Sequence, residues 1–159
     1  MPIFMRKVRK ARWHGKDELP WLPEGDLQAD VFLDLETREN ALSVWDVSDE
    51  ASLDQVIAAL AANCDRIENL DFVLIHTEGL PDIKIRPCVG ESVDGTANEA
   101  LHMHLEELTV STLVRLVKTA QLHRKLRCEV LALVRKSAAA GRIDRARLKE
   151  KVLRAIESS

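Results

Sequence analysis

The chain has no tyrosine, and only three phenylalanines and three tryptophans among 159 residues. With so few rings, a groove built on stacked aromatics, as single-strand nucleic-acid platforms use, has little material. Cysteine is also scarce. Cys64, Cys88 and Cys128 lie far apart and no Cys-x-x-Cys occurs. An odd number of scattered thiols argues against a disulfide framework and fits free, buried structural cysteines in a reducing compartment. Six glycines leave little for a backbone phosphate cradle. A glycine-rich phosphate loop, a Gly-x-Ser-x-Gly elbow and a His-Glu-x-x-His zinc signature are all missing. No run approaches the roughly 18 apolar residues of a membrane span. The basic N-terminus is not followed by the apolar stretch of a secretory signal. The expectation is a soluble, cytoplasmic chain that uses no cofactor and meets no membrane.

What the chain does have is charge, sorted by position. Residues 1–16 carry six cations and no carboxylate. Residues 17–109 carry 22 carboxylates against Arg38, Arg66, Lys84 and Arg86, a net of −18. Residues 110–159 carry 13 cations against Glu129, Asp144, Glu150 and Glu157, a net of +9. The overall −3 conceals this segregation. Such asymmetry bears on partners and docking rather than on fold. Hydrophobic residues make up 46% of the chain, enough to bury a core without staples.

Periodicity predicts an α+β fold in which a small, mostly antiparallel sheet packs with helices. Strands are expected at about residues 2–12, 41–47, 71–76 and 83–88. In the first, Ile3, Met5 and Lys7 would share one face, and Phe4, Arg6 and Val8 the other. Residues 13–26 hold Gly15, Pro20, Pro23 and Gly25 and read as loop, with Trp13, Trp21 and Leu22 folding back onto the core. Leu27, Val31 and Leu35 have helical spacing, so residues 26–35 are read as helix, although Val31-Phe32-Leu33 also suits a buried strand. Residues 37–40 read as a turn. Ser48, with Asp49 and Glu50 following, starts a helix striped by Leu53, Val56, Ile57, Leu60 and Ala61. That helix would also permit parallel pairing of the strands it joins. Gly79–Asp82 reads as a turn and residues 89–98 as a polar loop.

From about Val110 to Ala140 the spacing predicts one long helix. Leu113, Leu116, Val117, Ala120, Val130, Leu131 and Val134 line one side, and Arg115, Lys118, Lys125 and Lys136 the other. Arg127 falls on the apolar side, so it needs a carboxylate partner, a local break or an interface. Gly141 ends the helix. A second helix from about Asp144, striped by Leu148, Val152 and Ile156, would complete an αα-hairpin. The domain reading is an α+β core over 1–108, with 109–159 as a basic helical hairpin packed on it or extending from it, a single domain overall.

No catalytic set is complete. His102, His104, Glu106 and Glu107 are four metal-capable groups within six residues. On a helix His102 and His104 lie on opposite sides; on a strand His102, His104 and Glu106 would align. The neighbouring Ala100, Leu101 and Glu107 favour helix, so no metal is assigned. No spacing brings any of the cysteines to a histidine. The segment Phe32-Leu33-Asp34-Leu35-Glu36-Thr37 resembles the first motif of the DEDD 3′–5′ exonuclease family, which implies Asp34 and Glu36 as ligands of catalytic metal ions. His76 and Asp82 loosely resemble the second motif. The family's later His or Tyr before a final Asp has no match, and Arg38-Glu39 stands where it has glycine.

The leading expectation is therefore a non-enzymatic interaction protein. It would be an accessory, adaptor, immunity-type or regulatory subunit assembling through its C-terminal helices and charged surfaces. Its partner would be a protein, including a second copy of this chain as a homodimer. The candidate contact residues are Arg6, Lys7, Arg9, Lys10, Arg12, Arg115, Lys118, Lys125, Arg127, Arg142, Arg145, Arg147, Lys149, Lys151 and Arg154. The same cations support an alternative, nucleic-acid binding through neutralised phosphates. The acidic middle block is the competing partner for them. A metal-dependent nuclease at the Asp-x-Glu-Thr segment is the other alternative.

Overall fold

A computed structural model describes residues 2–13, 19–78, 83–88 and 101–158. Six strands form one antiparallel sheet: β1 (Ile3–Lys7), β2 (Leu42–Asp46), β3 (Leu70–His76), β4 (Lys84–Pro87), β5 (His102–Glu106) and β6 (Gln121–Lys125), in the order β4-β5-β2-β1-β3-β6. Four helices accompany them: α1 (Glu50–Ala62), α2 (Val110–Thr119), α3 (Arg127–Ala139) and α4 (Glu150–Glu157). The fold is α+β. Among the described residues no helix is long and apolar enough to cross a membrane.

β1 pairs with β2 through Phe4↔Asp46 and Met5↔Trp45, and with β3 through Ile3↔His76 to Lys7↔Phe72. β2 and β3 are therefore parallel to one another, but they flank β1 instead of pairing. The connection through α1 is a split β-α-β unit, and β1 occupies the place where direct parallel pairing was open. α1 is capped by Asp49, whose side chain accepts from the Ser52 amide at 2.7 Å, one residue beyond the expected Ser48. Ser48 instead bonds the Asp46 carboxylate.

The alternating faces of the strands feed two cores. On one side Phe4, Leu42, Val44, Val73, Ile75 and Leu105 pack with Trp13, Val31 and Leu35 and with Leu116 and Val117 of α2. On the other, Met5, Leu70 and Phe72 meet Val56, Ile57, Ala58 and Ala61 of α1, Val130 and Val134 of α3, and Val152 of α4. Each fully buried Leu, Ile, Val, Phe or Met contributes about 1.5–3 kcal/mol. The faces of β1 are those read from its alternation.

Residues 110–140 are not one helix. α2 is capped by Thr109, which accepts from the Thr112 amide, and it ends at Thr119. Residues 121–125 then leave the helix to pair with β3, from Leu70↔Lys125 to Leu74↔Gln121. β3 would otherwise be an unpaired edge, and closing it outweighs the local helical periodicity. Lys125 thus lies in a strand, not on a helical stripe with Arg115, Lys118 and Lys136. Arg127, the residue out of place on the long wheel, is the first residue of α3. Its amide donates to Asn69 Oδ1 and its Nε to the Ile67 carbonyl. Glu129 accepts from the Leu126 amide and caps α3.

At the far end of α3, Gly141 has φ +70°. The Arg142 amide reaches the Ser137 carbonyl, and the Gly141 amide that of Ala138, the paired bonds of a Schellman stop. Asp144 caps a short 3₁₀ turn at Arg145–Arg147, so α4 starts at Glu150 rather than at Asp144. Arg135 of α3 donates to the Ala155, Ile156 and Ser158 carbonyls and satisfies the C-terminus of α4. α3 and α4 form the C-terminal hairpin. Residues 26–35 hold only a 3₁₀ turn at Ala29–Leu33. Trp13 and Leu22 are buried as expected, whereas Trp21 is 68% exposed. The turns expected at 79–82 and 89–98, and with them Asp82, lie outside the described residues.

Glu39 (φ 53°) and Asn40 (φ 60°) form a two-residue turn in which Arg38 and Ala41 exchange both backbone hydrogen bonds, the primed geometry that favours glycine. Glu39→Gly should stabilise the fold by about 0.5–1 kcal/mol, the left-handed cost of a side chain less glycine's entropy. A higher urea midpoint at unchanged slope is the readout.

Arg124 of β6 grips Asp71 of β3 with two hydrogen bonds, of 2.6 and 3.1 Å. Those bonds, aided by the guanidinium charge and opposed by partial burial, hold Asp71 below the usual carboxylate range. A depressed acid contributes stability fully above its unfolded value, about 3.9, and loses it as pH falls through the native value. Asp71→Asn should therefore be less stable than wild type at pH 7, with the gap closing in acid. Urea melts at pH 7 and pH 3 measure this.

Candidate functional site

The residues His102 to Glu106 alternate strictly between polar and apolar, the period of a strand with one buried face. Met103 packs against one core and Leu105 is fully buried in it, so His102, His104 and Glu106 project from the opposite face. The helical reading of this segment fails because β5 is hydrogen-bonded on both sides, to β2 (Trp45↔His102, Ser43↔His104) and to β4 (Arg86↔His104, Lys84↔Glu106). Two ladders outweigh the helix preference of the flanking residues. The Cys88 amide extends the β4 ladder by donating to the His102 carbonyl at 2.9 Å. Cys88 therefore stands opposite His102 and diagonal to His104.

The result is a cluster that the cysteine and histidine positions alone did not disclose. Cys88 Sγ lies 2.8 Å from His104 Nε2. One ligand atom from each of Cys88, His102 and His104 lies within 4.8 Å of the others, and among the described residues no other group of three or more His, Cys, Asp or Glu is gathered so closely. Trp45 stacks on the His102 ring at 5.4 Å between centroids, which fixes its plane. Arg86 donates from Nη2 toward His104 Nδ1 at 3.2 Å. A guanidinium only donates, so in the neutral ring the proton sits on Nε2 and points at Cys88 sulfur. Arg86 Nε also binds Glu106 at 2.6 Å. That bond, with the charges of Arg86 and Lys84, holds Glu106 below the usual carboxylate range against the opposing effect of burial.

His102, His104, Glu106 and Arg86 line a cavity of about 770 Å³ together with Glu107, the 38–41 turn and Ser43, the ladder neighbour of His104. Cys88 itself is buried, 1% exposed, while the two histidines are half-buried. Cys64 is half-buried and Cys128 exposed, so only Cys88 fits the buried-thiol expectation.

Asp34 has a different setting. Its Oδ2 accepts from the Arg9 amide at 3.0 Å and from Trp13 Nε1 at 2.9 Å, and its Oδ1 pairs with Arg12 Nη1 at 2.6 Å. Arg6 donates Nε to the Asp34 carbonyl and Nη1 to the Ser43 carbonyl. Burial lowers the Arg6 pKa, and the charges of Asp34 and Glu36 oppose that. Asp34 and Glu36 belong to no gathered group of metal-capable side chains among the described residues. The resemblance to the exonuclease motif thus falls on a carboxylate already taken up by this chain's own donors.

The basic candidates are spread over the molecule. Lys7 reaches Cys64 Sγ at 3.6 Å. Lys10 lies near Asp71 and adds to its depression. Arg145 pairs with Glu157, Arg147 with Asp144, Lys149 with Asp65 and Arg154 with Glu150. Arg115 and Lys118 are exposed on α2, Arg142 after α3 and Lys151 on α4, while Lys125 is half-buried on β6. Arg12–Asp34, Lys149–Asp65 and Arg124–Asp71 each join a terminal block to the acidic middle. The exposed Lys149–Asp65 pair stabilises by less than about 1 kcal/mol, whereas Arg12–Asp34 is largely buried; all three pairs occupy their cations. α4's apolar stripe is also consumed internally, with Val152 fully buried.

An apolar groove lies elsewhere. Leu27, Val31 and Phe32 form one wall, and Val114, Val117 and Ala120 the other, around about 570 Å³, with Lys118 on the rim. Phe32 is 40% and Leu33 58% exposed. Among the described residues Lys118 forms no ion pair. This surface lay hidden in a segment read as helix; its only sequence signal was three large apolar residues in succession.

Compared with known proteins, the chain matches no family model, no curated protein and no solved structure. Asp34→Ala would strand Arg12 and the Trp13 indole N–H, and breaking a largely buried pair costs about 3–5 kcal/mol. A large drop in urea midpoint is expected; an unchanged midpoint would show that the carboxylate has no structural duty.

Proposed function

We propose that this protein is a non-enzymatic interaction protein, an accessory or adaptor subunit, which docks a protein partner in the groove between the 27–32 segment and α2. The exposure of Phe32 and Leu33 beside an apolar groove carries the reading. Large apolar side chains next to a concavity mark a contact surface more often than lone exposed residues do. The occupant is a segment of another protein that places an apolar anchor between Phe32 and Val114 and a carboxylate against Lys118. Arg115, one turn away on α2, adds positive charge that steers such a segment.

The internal pairing of Arg12, Arg145, Arg147, Lys149 and Arg154 favours protein docking over nucleic acid, since paired cations release fewer counterions on meeting phosphate. It also moves the contact surface away from the C-terminal hairpin toward α2.

Affinity purification from the native cells, with three forms of the protein, tests this. Wild type and the charge-reversed Arg145→Glu/Arg147→Glu/Lys151→Glu should retain the same protein, and Phe32→Glu should lose it by tenfold or more at unchanged melting temperature. Retention by Phe32→Glu overturns the groove. Light scattering at low and high salt then separates a second copy of this chain from a different protein. Salt-sensitive binding to nucleic acid that the charge reversal abolishes would replace the proposal.

A further inference from the structure

We propose that Cys88, His102 and His104 form a binding site for one divalent transition-metal ion, with zinc the best match to the donors. The site is independent of the docking groove and goes beyond it.

Three observations carry it. The first is proximity: the three ligand atoms lie within 4.8 Å of one another. Around a tetrahedral ion with Zn–S of about 2.3 Å and Zn–N of about 2.0–2.1 Å, sulfur and nitrogen stand roughly 3.6 Å apart. The Cys88–His104 separation of 2.8 Å needs to open by under one ångström, within the reach of small side-chain rotations. The second is rigidity. Both histidines sit on β5, held by ladders on each side, and the His102 ring is stacked on Trp45. Ligands on a two-sided strand are better held than ligands on loops. The third is chemistry. One thiolate and two imidazoles form a soft-to-borderline set suited to zinc and its neighbours, and unsuited to magnesium or calcium, which take oxygen.

Loading the site rearranges protons in a defined way. The Cys88 thiol releases its proton to solvent and its sulfur bonds the metal. His104 must present a bare Nε2, so its proton moves to Nδ1, and Arg86 gives up its bond there. Arg86 keeps its pairing with Glu106, which holds the displaced cation nearby as a partner outside the ligand set. Three protein ligands leave a fourth position. His102 and His104 line the cavity of about 770 Å³, so that position opens toward it and takes water or a small donor ligand.

The test uses the full chain stripped with chelator: one portion is dialysed against zinc, and a separate metal-free portion is titrated with cobalt(II) as a spectroscopic stand-in. Retention of one zinc per chain is expected. So is a thiolate-to-cobalt charge-transfer band in the near ultraviolet that Cys64→Ser/Cys128→Ser leaves intact and Cys88→Ser abolishes. His102→Asn and His104→Asn should each weaken zinc binding by at least about tenfold, the effect of removing even an outer-shell partner. The wild-type and Cys64/Cys128 measurements stand even where a site variant fails to fold. Failure of the wild type to retain zinc, or a charge-transfer band that disappears with Cys64 and Cys128, overturns the proposal. Neither result affects the groove, which is read by Phe32→Glu.

Discussion

β1 lies near the middle of the sheet, between β2 and β3, and a central strand has both faces covered. Yet it carries Arg6, and burying an unpaired guanidinium is costly. The fold answers with oxygen from two directions, the Asp34 and Ser43 carbonyls. Asp34 then spends its carboxylate on Arg9, Arg12 and Trp13 where the chain leaves β1. This knot fixes the 29–33 turn against the strand. It places Val31 and Leu35 inward and leaves Phe32 and Leu33 outside. The apolar groove is thus a by-product of the contacts around Asp34, whose main-chain carbonyl seats the half-buried Arg6 while its carboxylate holds Arg9, Arg12 and Trp13.

Charge segregation along the chain becomes charge pairing in space. Cations of the first and last blocks meet carboxylates of the middle at Arg12–Asp34, Arg124–Asp71 and Lys149–Asp65. Each pair ties a terminal segment to the middle of the chain, at the 29–33 turn, β3 and the end of α1 respectively. Few of these pairs are buried, so they align segments more than they stabilise them. Part of the positive surface left over lies on α2 beside the groove, where Lys118 and Arg115 stand exposed.

The same-face alternation that builds the cores also gathers the Cys–His cluster. Helices α1, α3 and α4 pack on the face that displays Met5 and Phe72. On the β4–β5 half, this face carries Arg86, His104 and Glu106 and borders a cavity. Strand pairing sets a short spacing between side chains from residues 16 apart in the chain, and that brings Cys88 sulfur to His104 nitrogen.

By itself the sequence determined the α+β class, the faces of β1, the positions of β2 and β3, the Val152 and Ile156 stripe of α4 and the Gly141 stop. All of these rest on patterns contained within one element or on a local backbone preference. Tertiary structure decided β5 and β6, two five-residue segments whose local preference was helical. Strands that short are set by hydrogen bonds to partners far along the chain, and those bonds outweigh a few tenths of a kcal/mol of propensity per residue. It also decided what Asp34, Arg127 and Cys88 face. Asp34 looked like a ligand because its partners at Arg9, Arg12 and Trp13 are over 20 residues away, and Cys88 looked isolated until pairing of β4 with β5 placed it beside two imidazoles.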